Sequence, residues 1–227
     1  MPESIHHPRP PAADGESLKW QLTGCRGTEA CRFALTPLAP LSTRLEAVLR
    51  ESGWDAFLRR QYPRGVKPHH RLRLALSACP NGCSQPQIQD VGLIAALRPV
   101  RVLPACSACG LCEGTCREGA IAVKGDIAVI NPDACLACGE CLRACPVAAL
   151  QAAPLAFRVL IGGHMGRHPA WAVELPGAAA PDQIPRILLR FVDLLIREAK
   201  TGERVWQIVE RVGAAAIGHA LGDPHDD

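Results

Sequence analysis

Twelve of the 227 residues are cysteine, and eight of these stand in two runs of one spacing. The first run is Cys106, Cys109, Cys112 and Cys116; the second is Cys135, Cys138, Cys141 and Cys145. Both read C-x2-C-x2-C-x3-C, displaced by 29 positions, and Gly110/Gly139 and Ala120/Ala149 recur in step. An x2 spacing lets a tight turn aim three sulfurs at one point, and the thiolate is the form of cysteine that ligates metal. Glycine lets backbone approach those sulfurs closely, where N–H groups can tune a bound centre. Zinc knuckles use pairs with a longer gap and no fourth cysteine at x3. Twelve is also three times four, the number of thiolates that one cubane cluster takes.

The paired runs have the spacing of bacterial two-cluster ferredoxins, in which the fourth cysteine of each run crosses to the other cluster. That assigns Cys106, Cys109, Cys112 and Cys145 to one [4Fe-4S] cluster, and Cys135, Cys138, Cys141 and Cys116 to a second. The runs differ in one respect: Arg117 follows Cys116 where Pro146 follows Cys145.

The other four cysteines are Cys25 and Cys31, spaced C-x5-C, and Cys79 and Cys83, spaced C-x3-C. A centre held by two such distant pairs staples the chain at long range. The run from Ser77 to Leu93, SACPNGCSQPQIQDVGL, resembles the sirohaem-and-cluster signature of the sulfite and nitrite reductases. That signature is Ser/Thr-Gly-Cys-x3-Cys-x6-Asp/Glu-apolar-Gly-apolar. Cys79, Cys83, Asp90, Val91, Gly92 and Leu93 fall in place, with Ala78 where the signature has glycine. The stretches 159–169 and 202–213 resemble that family's glycine-rich strand-turn and its C-terminal helix, so the likeness runs from about Leu18 to Gly213. A ferredoxin inserted after the second cysteine pair resembles the anaerobic and dissimilatory branch.

The resemblance implies a third [4Fe-4S] cluster on Cys25, Cys31, Cys79 and Cys83, with Cys83 also the axial ligand of sirohaem iron. It places Cys83, Arg71 and Arg73 in the catalytic set. Sirohaem carries many carboxylates, and cations are their natural partners. Arg26, Arg32, Lys67, Arg167 and His168 are the candidates for binding it. Full-length members of that family have two related halves, and this chain matches one, so a second copy or a partner subunit is expected to complete the site.

Around these residues the chain reads as an α+β domain over 18–98 and 152–227, a sulfite-reductase-like half-domain, with the ferredoxin inserted at 99–151. Leu72, Leu74 and Leu76 alternate with Arg71, Arg73 and Ala75, as in a half-buried strand. Thr43-Arg-Leu-Glu46 has the form of a capping box opening a helix. Ile184, Ile187, Leu188, Phe191 and Leu195 keep helical spacing, and Val205, Ile208, Val209 and Val212 mark a last helix. Residues 1–17 are Pro-rich and polar and read as a disordered tail without the apolar core of a signal peptide. No stretch reaches the roughly 20 apolar residues of a membrane span. A cytoplasmic protein is expected, where disulfides are rare. The formal charge of +3, with no polybasic run, gives no reason to expect nucleic acid.

The functional expectation is an iron–sulfur, sirohaem-dependent oxidoreductase or a subunit of one. It would reduce a small oxyanion, sulfite to sulfide or nitrite to ammonia. Its electrons would come from a donor protein or a reduced ferredoxin through the inserted relay. The alternative is a non-catalytic [4Fe-4S] electron-transfer protein, or a sirohaem-binding module that serves a partner enzyme.

Overall fold

A computed structural model describes residues 18–25 and 31–222. The expected disordered tail, the candidate Arg26 and the last five residues lie outside them. Among the described residues, no helix is long and apolar enough to cross a membrane.

The body is a mixed five-stranded sheet with helices packed against one face. In chain order, β1 (Trp20–Gly24) is followed by α1 (Ala39–Glu51), α2 (Trp54–Gln61), β2 (Leu72–Ser77) and β3 (Val91–Ala96). After an excursion described below come β8 (Ala156–Ile161), β9 (Val173–Ala179), α5 (Ile184–Glu198), α6 (Val205–Val212) and α7 (Ala214–Leu221). The sheet order is β1-β2-β3-β8-β9; β1, β2 and β3 run parallel, and β8 and β9 are antiparallel additions.

A parallel pair needs a crossover, and α1 with α2 supplies it between β1 and β2. Leu72, Leu74 and Leu76 of β2, Leu93 of β3 and Phe157 of β8 form one core with Leu45 and Leu49 of α1 and Leu188, Phe191 and Leu195 of α5. Full burial of such side chains stabilises the fold by about 2 kcal/mol each before the cost of ordering them.

The opposite face is covered differently. The chain from β2 to β3 returns across the sheet with only a single 3-10 turn at Pro86–Ile88, and it lies so close that a Cβ on Gly92 would sit 2.3 Å from the Pro86 carbonyl oxygen. β3, VGLIAA, is therefore buried along its whole length, as expected of a strand covered on both faces.

α1 begins earlier than the capping-box reading places it. Its first residue is Ala39, Pro40 lies in its first turn, and no side chain caps it. Thr43 lies inside the helix, its hydroxyl donating to the Ala39 carbonyl at 3.1 Å. Proline at the start of a helix needs no N–H partner and has its φ already set, so the cap motif is not required.

Between β3 and β8 the chain forms β4 (Pro99–Val102), α3 (Leu111–Thr115), β5 (Ile121–Lys124), β6 (Ile127–Ile130), α4 (Glu140–Ala144) and β7 (Leu150–Ala152). β4 pairs with β7 and β5 with β6, both antiparallel. This segment has its own small core of Cys112, Ile121, Ala128, Cys141 and Leu150. The 29-residue repeat recurs in the backbone. Ala108 and Ala137 have φ of 53° and 58°, Gly110 and Gly139 have 77° and 69°, and Gly119 and Ala148 have 59° and 49°. Left-handed backbone is uncommon for alanine, so three alanines held there mark turns fixed by what they surround.

Candidate metal centres

The twelve cysteines are gathered in three places. A hollow of about 330 Å³ is lined by Cys106, Cys109, Cys112 and Cys145, with Val102, Ala128 and Leu150 behind them. A second, of about 380 Å³, is lined by Cys116, Cys135, Cys138 and Cys141, with Ile121 and Ile130 behind. In each hollow three cysteines come from one turn and the fourth from the other run. The near-equal volumes and the matching torsions make the two hollows images of each other.

Backbone N–H groups point at the sulfurs. Ala120 donates to Cys116 Sγ at 3.3 Å, Ala149 to Cys145 Sγ at 3.2 Å and Ala137 to Cys135 Sγ at 3.4 Å. The surroundings grade the thiols. Burial, then the neighbouring Cys138, Cys135 and Cys116, push Cys141 up to about 11. Burial also raises Cys112. Exposed Cys109 goes down, because the Leu111 N–H and the Ser107 side chain hydrogen-bond to it. Among the described residues, no three His, Cys, Asp or Glu side chains draw together tightly enough to chelate a single metal ion.

The third group forms where two neighbouring parallel strands end. Cys25 follows β1 and Cys79 follows β2, and parallel strands bring their C-terminal ends to the same edge. The Cys25 N–H donates to the Leu76 carbonyl at 2.9 Å, and the Ala78 N–H donates to Cys25 Sγ at 3.3 Å. Burial raises the Cys79 thiol, the Asn81 N–H opposes this, and charge on Cys25, Cys83 and Cys31 raises it further. Cys25, Cys83 and Cys31 therefore all stand within electrostatic reach of Cys79. Cys79 is buried; Cys83 and Cys31 are exposed.

Arg71 and Arg73 are elsewhere. They lie at the start of β2, and at about 3.3 Å per residue the strand holds its two ends roughly 17 Å apart. There they line a cavity of about 670 Å³ with His69, His70, Asp90, His164, Arg204 and Trp206. Asp90 is buried and accepts from the Arg73 backbone N–H at 2.8 Å and from its Nε at 3.3 Å. Burial pushes the Asp90 carboxyl above its ordinary value, while Arg73 and His164 pull the other way. Two stacked pairs form walls, Tyr62 on His70 at 3.7 Å and His164 on Trp206 at 4.2 Å between ring centroids. Burial, then the charges of Arg204 and Lys67, hold His69 below its ordinary value, and burial, then His69, Arg204 and Lys67, do the same to His70, which favours the neutral rings.

The remaining candidates scatter. Arg32 is exposed beside Cys31, its guanidinium 4.6 Å from the centre of the Phe33 ring. Lys67, Arg167 and His168 are exposed on loops near the cavity end of the sheet. Nothing in the sequence singles out Tyr62, Arg204 or Trp206. Trp206 lies in the stretch 202–213, where its place on a helix gives no sign that it faces His164.

The family described as the nitrite and sulphite reductase 4Fe-4S domain matches residues 15–224. The chain belongs to this family. Among its relatives is a coenzyme F420-dependent sulfite reductase of Methanocaldococcus jannaschii, 27% identical over 195 residues, which are 83% of this chain and 28% of that protein. Another is a subunit of the anaerobic sulfite reductase of Salmonella typhimurium, 31% identical over 150 residues, which are 64% of this chain and 40% of that protein. The chain thus spans well under half the length of these curated relatives. Its fold is similar to that of dissimilatory sulfite reductase I, with a TM-score of 0.59 at 16% identity over 88% of this chain and 51% of that one. It is also similar to the Mycobacterium tuberculosis NirA protein, with a TM-score of 0.50 at 17% identity over 89% of this chain and 27% of that one. These likenesses bear on the mixed α/β body of the nitrite and sulphite reductase domain.

Proposed function

We propose that this chain is the cluster- and sirohaem-bearing subunit of a sulfite or nitrite reductase, with a two-cluster ferredoxin built into it at 99–151. The observation that carries the reading is the meeting of Cys25, Cys31, Cys79 and Cys83 at the ends of adjacent parallel strands, in a chain whose family is described by its 4Fe-4S domain. The two thiol-lined hollows suit the same ligand chemistry. Each offers four sulfurs, an apolar back wall and backbone N–H donors, the features that hold and tune iron–sulfur clusters.

Sirohaem, when bound, would supply an iron on which the oxyanion is reduced by electrons arriving one at a time. Exposed Cys83 is the thiolate that would hold it. The chain's cations bear on the rest of the fit. Arg71, Arg73 and Arg204 outnumber Asp90 at the cavity, because the other acid in its lining, Glu203, is engaged by Arg211 at 2.7 Å. Neutral His69 and His70 can pass protons. This cavity and Cys83 lie at opposite ends of β2, roughly 17 Å apart along the strand. The arrangement favours a site completed across an interface, by a second copy or by a partner subunit.

Anaerobic purification, followed by iron and sulfide analysis, a visible spectrum and macrocycle extraction, tests the reading. The expected result is about thirteen irons per chain, about twelve in clusters and one in sirohaem. About twelve irons without a macrocycle would leave an electron-transfer protein. With sirohaem present, sulfite- or nitrite-dependent oxidation of a reduced dye separates an enzyme from a sirohaem-handling module.

A further inference from the structure

Gly110 and Gly139 open matching turns of the repeat, yet their surroundings differ. A Cβ on Gly110 would meet nothing within 4 Å, whereas one on Gly139 would lie 3.3 Å from the side-chain tips of both Leu35 and Leu97. Leu97 follows β3 and is tied to this turn: its N–H donates to the Ala137 carbonyl at 2.7 Å, and it bridges in parallel with Cys138. Leu35 belongs to the other side. It lies four positions past Cys31, and its N–H donates to the Ala78 carbonyl at 2.8 Å, one residue before Cys79. The Cys138 turn therefore rests on the same short segment that flanks the third cysteine group. The first run faces outward instead. Cys109 is exposed, and Val147, which lines the same hollow, is 46% exposed.

We infer an order for the relay, resting on the ligation proposed above: the Cys116/Cys135/Cys138/Cys141 group is the inner station, next to the Cys25/Cys31/Cys79/Cys83 group. The Cys106/Cys109/Cys112/Cys145 group is the outer station, open to a low-potential one-electron donor. Each transfer oxidises one station and reduces the next, with no bond made or broken. Tunnelling falls steeply with distance, so the segment Ala34–Leu35 and residue Leu97 mark the inner crossing. The 29-residue symmetry of the sequence cannot reveal this order, because it treats the two halves alike.

The test uses the anaerobic holoprotein and electron paramagnetic resonance of the fully reduced state. In Cys109→Ala, the signal of the third centre should keep its spin–spin splitting. In Cys138→Ala, that splitting should collapse. The reverse pattern, or a splitting indifferent to both changes, would overturn the order. Leu35→Asp tests the same point with every cysteine intact. A negative charge there should lower the midpoint potentials of the inner and third centres together and leave the outer one unmoved. A shift shared by the third and outer centres, or confined to the third, would overturn the inference. Iron content separates the two levels of the argument. About eight irons per chain in the unaltered protein would remove the third centre, and with it both the functional reading and the order. About twelve cluster irons with the wrong coupling partner would remove the order alone.

Discussion

Arg73 reaches Asp90 twice, from its backbone N–H at 2.8 Å and from its Nε at 3.3 Å, and both bonds end on the same oxygen, Oδ2. The contact ties the start of β2 to the residue that leads into β3. The acid side is almost fully buried and the arginine about one-third exposed, with side-chain exposures of 6% and 32%. Asp90→Asn keeps the shape and removes the charge, leaving Arg73 partly solvated. We expect a loss of about 2 kcal/mol, the range for a hydrogen bond to a charged group, discounted for the exposure of Arg73. Urea unfolding at pH 7 measures it; a change below about 0.5 kcal/mol would mean that the pair is not a structural tie.

Gly92 is the place where the returning loop touches the sheet. Gly92→Ala puts a methyl group 2.3 Å from the Pro86 carbonyl oxygen, a backbone atom that cannot swing aside. The expected cost is about 2–3 kcal/mol, as for overpacking in a tight core. The same loop carries Cys79 and Cys83, so the iron content should fall by about four per chain while the two hollows of the repeat stay loaded. Unchanged iron content would show that the loop can lift without disturbing its cysteines.

Cys83→Ser should abolish the sirohaem absorption and spare the spectra of the two clusters in the repeat. Equal loss from all three centres would contradict the separate grouping of Cys25, Cys31, Cys79 and Cys83.

Strong acid should loosen the wall of the cavity formed by the turn before α6. Arg211 engages Glu203 through two nitrogens, at 2.8 and 2.7 Å, and this pairing holds the Glu203 carboxyl at about 2 against its ordinary 4.5. The folded state thus takes up this proton less readily than the unfolded one. The stability it contributes is complete above pH 4.5 and is lost as the pH falls towards 2. Glu203→Gln should flatten that part of the stability–pH curve and lower stability at pH 7. An unaltered acid limb in the variant would show that other carboxylates control it.

The cysteines were legible because their spacing is the chemistry: an x2 run can turn three sulfurs inward in few ways, and the crossing fourth cysteine follows from the likeness to two-cluster ferredoxins. Strand β2 was legible from the alternation of Leu72, Leu74 and Leu76. What adjacency in sequence concealed is that Arg71 and Arg73 stand at a different end of the sheet from Cys79. An extended strand separates its termini even as it links them, so residues a few positions apart serve different sites. The cavity was hidden for a related reason. Tyr62, His164 and Trp206 come from three distant stretches, and only the packing of α2, the loop after β8, and α6 brings them to one place. The Thr43 cap failed because a motif of four residues matches by chance where Pro40 already starts the helix.

β1 pairs on one side only, with β2, over Trp20 to Gly24. On the proposed ligation, loss of the third centre would leave Cys25 and Cys31 unable to anchor the chain just beyond that strand, and fraying would uncover a β2 whose sequence is LRLALS. A bare strand of that kind is a template on which another chain can add. Iron supply would then decide more than whether electrons flow. It would govern whether chains stay dispersed or clump together.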